Sequence, residues 1–115
     1  MDVKLRTIPE NQVDILELKG RFDAYEAPPV KEWLGKVTSR PPAQVVVNLA
    51  EVNFIDSSGL AVLVQGLKHC RKQDGDLHLC GFQKPVRVIF ELSRMDKAFS
   101  VFSSEEEAVA AFNGK

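Results

Sequence analysis

The stretch best equipped for chemistry is Asp56-Ser57-Ser58-Gly59-Leu60, two adjacent hydroxyls behind a carboxylate, where the extended piece Val52-Asn53-Phe54-Ile55 passes into a helical pattern. In open α/β sheets, ligand and switch sites collect at such carboxyl ends of strands. Ser57 stands where an N-cap is expected, its oxygen accepting from the backbone N–H of Gly59 or Leu60. Ser58 then becomes the first helical residue, with its hydroxyl free and facing outward. Its oxygen would sit where helix N–H groups lack partners and the macrodipole is positive, a tolerable place for a phosphate. The same residues also read simply as a capped helix start, and local chemistry alone leaves both readings open.

A phosphoserine at this turn would bring about −1.5 to −2 charges at neutral pH. Asp56 would repel that charge while the helix terminus attracts it, so little internal rearrangement is expected. The larger consequence falls on any protein that covers the turn. Burying an unpaired dianion costs several kcal/mol, and each ~1.4 kcal/mol is a factor of ten in affinity.

Serine hydrolysis has less support. No G-x-S-x-G elbow is present, and neither His69 nor His78 lies in a segment that obviously returns to the serines. Neither G-x-x-x-x-G-K-[ST] nor G-x-G-x-x-G occurs to cradle a phosphate. The histidines are not spaced for zinc on one helix face and read as surface residues. Cys70 and Cys80 form no C-x-x-C pair and read as reduced, partly buried thiols. No metal, cofactor or catalytic residue is therefore expected.

With 115 residues, 44% of them hydrophobic, the chain has enough apolar material for one ordinary core, and one domain over 1–115 is expected. Fifteen Lys and Arg against 16 Asp and Glu, a formal charge of −1, provide no general field for nucleic acid or anionic lipid. No apolar run approaches the ~18 residues of a spanning helix, and MDVKLRTIPE lacks the pattern of a signal peptide, so the cytoplasm is the expected location.

The elements that must position the serine turn are legible in outline. Val3–Ile8 and Val13–Leu18 alternate with period two around a short turn, which predicts an antiparallel pair. After Gly20 and Pro28-Pro29, Val30, Trp33, Leu34 and Val37 form one helical stripe that Arg40-Pro41-Pro42 ends. Val45-Val46-Val47-Asn48-Leu49 suits a central strand covered on both faces. A helix over about 57–73 follows, with Gln65, Lys68 and Lys72 on its wet side, then a turn at Asp74-Gly75-Asp76 and a strand at Leu77–Cys80. Pro85 opens a helix carrying Val86, Ile89 and Phe90. Phe99–Phe102 is a short strand, and Ser103-Ser104-Glu105-Glu106 offers a capping box before Ala108, Val109, Ala111 and Phe112. The order β-β-α-β-α-β-α-β-α predicts an α/β fold, a mixed sheet that is mostly parallel with an antiparallel N-terminal edge, packed with about four helices.

Phe54-Ile55-Asp56-Ser57-Ser58-Gly59-Leu60, preceded by Val45–Leu49 and followed by an apolar helix, resembles the signature of the bacterial single-domain STAS anti-sigma factor antagonists. Leu18-Lys19-Gly20-Arg21-Phe22-Asp23 resembles that family's Gly-x-hydrophobic-Asp turn, and Ile89-Phe90-Glu91-Leu92-Ser93 its third helix. The resemblance covers nearly the whole chain. It implies a partner-switching, non-enzymatic phosphoprotein of transcription regulation and signal transduction. A GHKL-type anti-sigma factor serine kinase would phosphorylate Ser58, and a PP2C-type phosphatase would reset it. The unphosphorylated form would bind the kinase and free the sigma factor. Asp23, Asp56, Ser58 and Leu60 would then face the partner, with Ser57, Asp56 and Gly59 supporting the phosphosite. Asp23 reads equally well as a turn carboxylate. Glu26-Ala27-Pro28-Pro29 and Trp33 depart from the family pattern, which leaves room for a partner outside sigma-factor control, such as a sensor kinase, a response regulator or a transporter.

Overall fold

In the computed structural model, residues 2–112 are described. Strands β1 (Asp2–Ile8) and β2 (Val13–Phe22) form the antiparallel pair, and α1 (Ala27–Val37) leads to β3 (Gln44–Ile55). Helix α2 (Ser57–Lys72), β4 (Asp76–Cys80), α3 (Lys84–Leu92), a 3-10 turn at Met95–Lys97, β5 (Ser100–Phe102) and α4 (Glu105–Ala110) follow. The sheet order is β1-β2-β3-β4-β5, with β2 to β5 mutually parallel. The mixed sheet with an antiparallel N-terminal edge and four helices is therefore the one the residue pattern predicts.

Parallel strands laid side by side in chain order through right-handed crossovers put every crossover helix on the same face. Accordingly Val30 and Leu34 of α1, Leu63 and Leu67 of α2, and Val86 and Phe90 of α3 share one core with Leu16, Val45, Val47 and Leu79. The opposite face is closed by α4, where Ala108 and Phe112 pack on Val13, Ile15, Val46 and Cys80. Val45, Val46 and Val47 are all fully buried because alternate side chains enter the two cores. The α1–α2 contact is close: a Cβ on Gly66 would lie 2.9 Å from Leu34 Cδ1.

Two strands run further than their alternation suggests. The register breaks between Glu17 and Lys19 and again between Gly20 and Arg21, where Gly20 has φ +109°, so β2 continues through a glycine that reads in sequence as an end. β3 likewise passes through Glu51 and Asn53 to Ile55. Since β4 pairs with β3 only as far as Asn48, the ends of β2 and β3 extend beyond the main sheet as a two-stranded ribbon. That ribbon carries the serine turn.

His78 is a correction to the surface reading: it is 6% exposed. It lies on the α4 face of β4, where its ring stacks on Phe112 at 3.8 Å and Nδ1 is 2.8 Å from the Ala108 carbonyl. Its Nε2 lies 3.5 Å from Asp76 Oδ2, so both polar corners of the ring have partners and burial is tolerated. His69 is exposed, as its place on the helix implies. Cys70 and Cys80 are free and fully rather than partly buried, and burial pushes each thiol up to about 12, which keeps them protonated and unreactive.

Candidate functional site

Register places Phe22 opposite Ile55 at the tip of the ribbon, and Asp56 N–H donates to the Phe22 carbonyl at 3.3 Å, so β3 stops one residue before the serines. Asp56 is extended, with φ −115° and ψ −173°, and caps α2: Oδ1 accepts from Ser58 N at 2.9 Å and from Gly59 N at 3.1 Å. The first helical bond runs from Leu60 N to the Asp56 carbonyl at 3.0 Å.

The cap expected of Ser57 is thus made by Asp56, and both serines move one place into the helix. Aspartate and serine cap about equally well, so the end of the strand decides between them. A carboxylate also offers a second oxygen. Asp56 Oδ2 accepts from Ala24 N at 3.2 Å, which ties the β2–α1 turn to the start of α2.

Ser57, at the first helical position, is exposed, and Ser58, at the second, is half-buried. Neither hydroxyl has a hydrogen-bond partner among the described residues. The helix start is not the open anion site that the spacing suggests, because Asp56 already occupies the N–H groups of Ser58 and Gly59. A phosphate on Ser58 would meet a filled site and a neighbouring negative charge.

Gly59 is buried, and a Cβ there would stand 2.6 Å from the Phe22 carbonyl oxygen and 2.9 Å from Ile55 Cγ1. Its role is close approach of helix to ribbon. Leu60 is half-buried against the main core.

Asp23 organises the other side of the site. Its Oδ1 accepts from Tyr25 N at 3.1 Å and Glu26 N at 3.2 Å, while its carbonyl accepts from Ala27 N at 2.8 Å, so the turn reading of this carboxylate describes its contacts. Arg21 Nε lies 3.6 Å from Asp23 Oδ2, and the Arg21 guanidinium sits 4.0 Å from the centre of the Phe54 ring. The structure therefore brings Asp23, Asp56, Ser57, Ser58, Gly59 and Leu60 to one end of the sheet.

Sequence reasoning passed over three neighbours: Tyr25, which is 90% exposed, Phe54, which is 36% exposed, and Arg21 on top of it. The signal that could have found Tyr25 is an aromatic in a turn, where no core can claim it; Arg21 and Phe54 lie within strands and carry no such signal.

Neither histidine comes to the serines. His69 lies near the far end of α2, and His78 lies on the opposite face of the sheet. Among the described residues, no group of three or more His, Cys, Asp or Glu could hold a metal ion, and no helix is long and apolar enough to cross a membrane.

The sequence model of the STAS domain matches residues 4–108. The protein BtrV of Bordetella bronchiseptica is 33% identical over 95 residues, covering 83% of this chain and 82% of its own length. The anti-sigma-B factor antagonist of Listeria monocytogenes is 28% identical over 107 residues, 93% of each chain. Among solved structures, the Bacillus cell fate determinant SpoIIAA in its phosphorylated form superposes with a TM-score of 0.73 at 18% identity, over 96% of this chain and 98% of that one. With nine-tenths of its length matched, from the N-terminal hairpin to the last helix, the chain belongs to the STAS domain family.

Proposed function

We propose that this protein is an anti-sigma factor antagonist of the cytoplasm whose grip on its partner is switched by phosphate on Ser58. The observation that carries the reading is the uncommitted hydroxyl of Ser58 beside a carboxylate that has taken over capping. The anti-sigma-B factor antagonist of Listeria and the phosphorylated form of SpoIIAA support it, as relatives of the same fold.

In the proposed cycle the unphosphorylated turn binds an anti-sigma factor that is also a serine kinase, and the sigma factor is set free. The kinase moves the γ-phosphoryl of ATP to Ser58 Oγ: the new P–O bond forms, ADP leaves, and the hydroxyl proton is taken up by the kinase or solvent. The Asp56 carboxylate keeps the Ser58 and Gly59 N–H groups, so the phosphate stays poorly compensated on its own chain and must be met by the partner. A partner shaped for a neutral hydroxyl releases it. A PP2C-type phosphatase hydrolyses the ester and restores the binding form. The chain itself catalyses nothing, contacts no nucleic acid directly and needs no membrane.

Incubation with the anti-sigma factor kinase of the same genome and ATP, followed by mass-spectrometric mapping, should place phosphate on Ser58. Ser58→Asp should weaken that complex at least ten-fold. Phosphate found elsewhere, or full affinity in Ser58→Asp, would overturn the proposal. A pull-down that recovers a sensor kinase or response regulator in place of an anti-sigma factor would move the same switch to another target.

A further inference from the structure

The two carboxylates at the site are engaged within the chain. Asp56 accepts from Ser58, Gly59 and Ala24 through both oxygens, and Asp23 accepts from Tyr25 and Glu26 and pairs with Arg21. Groups so occupied have little left to offer a docking protein, and drawing them into an interface would break the turns they hold. Besides the two serines, large side chains at this end of the molecule that remain exposed are the aromatic rings of Tyr25 and Phe54.

Tyr25 is the extreme case. Its backbone is fixed by Asp23, and its neighbour Ala24 is fixed by the same Asp56 carboxylate that binds the Ser58 N–H, yet its side chain is 90% exposed. A large ring held at its base and bare beyond it loses little conformational freedom on binding, which is why tyrosine is enriched among interface hot spots. Beside it on the ribbon, Arg21 and Phe54 are register partners whose stacked side chains point away from the helices, because Phe22 and Ile55, next along each strand, enter the helix-side core.

We propose, on the basis of the Ser58 reading above, that the anti-sigma factor kinase grips this chain through Tyr25, with the Arg21–Phe54 stack as a second foothold over the rim of the ribbon. Asp23 and Asp56 act as positioning residues that present these groups and the serine together. The partner face that fits is an apolar socket with a hydrogen-bond acceptor for the phenol. One carboxylate accepts from the backbone of Ala24 and of Ser58, which ties the turn that carries Tyr25 to the start of α2 and makes the ring and the serine parts of one surface for the partner. Phosphate on Ser58 then acts at the border of the aromatic contact rather than on a carboxylate contact.

Titration calorimetry with that kinase and the unphosphorylated chain tests this. Tyr25→Ala is expected to weaken binding at least ten-fold with an unchanged melting temperature, since the ring makes no core contact. Tyr25→Phe should retain most of the affinity, and Phe54→Ala should show a smaller loss. Leu92→Ala removes another exposed apolar side chain, on α3, and should leave binding unchanged. If Tyr25→Ala binds within two-fold of wild type while Ser58→Asp still releases, the aromatic anchor is wrong and the phosphate switch stands. If Ser58→Asp binds fully, the switch itself fails, whatever Tyr25 does.

Discussion

Helices α2 and α4 both begin on a serine pair beside acidic residues, and they use the pair in opposite ways. At α4, Ser104 Oγ accepts from Glu107 N at 3.1 Å and Ser103 Oγ donates to the Glu107 carboxylate, so both hydroxyls are committed. At α2 the aspartate caps, and Ser57 and Ser58 are left over. The cause is where the preceding strand stops. β5 ends at Phe102 and leaves a short link before Ser104, whereas β3 runs to Ile55 and puts Asp56 at the hinge. A serine at a helix start is thus a structural part or a chemical handle according to its distance from the strand end, not its type.

The acids also differ in their work. Glu105, in the first turn of α4, accepts from Arg6 at 2.6 Å and from Asn48 at 3.0 Å, anchoring the helix to the sheet. Burial alone would raise its carboxyl, but the bonds from Asn48 and Arg6 outweigh that and hold it below the usual value. Glu107 is likewise held low, chiefly by its bond from Ser103. Asp56 anchors α2 from outside the helix, through backbone N–H groups on two segments.

The largest loss is expected at Gly59, where α2 meets the ribbon. Gly59→Ala forces a methyl to 2.6 Å from the Phe22 carbonyl and should cost about 1–3 kcal/mol, read as a lower urea midpoint with unchanged slope. Asp56→Ala removes a carboxylate with three backbone donors and should cost about 1–2 kcal/mol, whereas Ser104→Ala, losing one donor, should cost about 1 kcal/mol.

A pH titration separates the two helix starts. The depressed Glu105 carboxyl contributes its stability in full above the ordinary glutamate value of about 4.3 and loses it as pH falls through the lower folded value. Hydrogen exchange should therefore show α4 loosening in acid; the part due to Glu105, below about 1 kcal/mol, is lost in Glu105→Gln, while the part due to Glu107 remains. Last and smallest, Ser57→Ala should change stability by no more than about 0.5 kcal/mol. A loss equal to that of Ser104→Ala would return the cap of α2 to Ser57.

Much of this was legible in the chain of residues. Alternation at Val3–Ile8 and Val13–Leu18, the valine run at 45–47 and the stripe from Val30 to Val37 specify the strands, the helices and the mixed sheet, because burial imposes those periods. The position of Asp56-Ser57-Ser58-Gly59-Leu60 at a strand-to-helix junction was equally plain.

Three things were decided only by tertiary structure. Gly20 reads as a break but forms a bulge that lets β2 run on beside β3, since a neighbouring strand supplies partners that local sequence does not show. His78 reads as a surface residue but is buried, because Phe112, Ala108 and Asp76 come together around it from distant or neighbouring positions. Asp56 takes the cap from Ser57 because pairing with β2 carries β3 as far as Ile55, and its second oxygen then reaches Ala24, 32 residues away in sequence. Periodicity records which side of an element is buried, and so it travels with the sequence. The partner of a polar atom is a fact about which segments meet, and the fold alone brings them together.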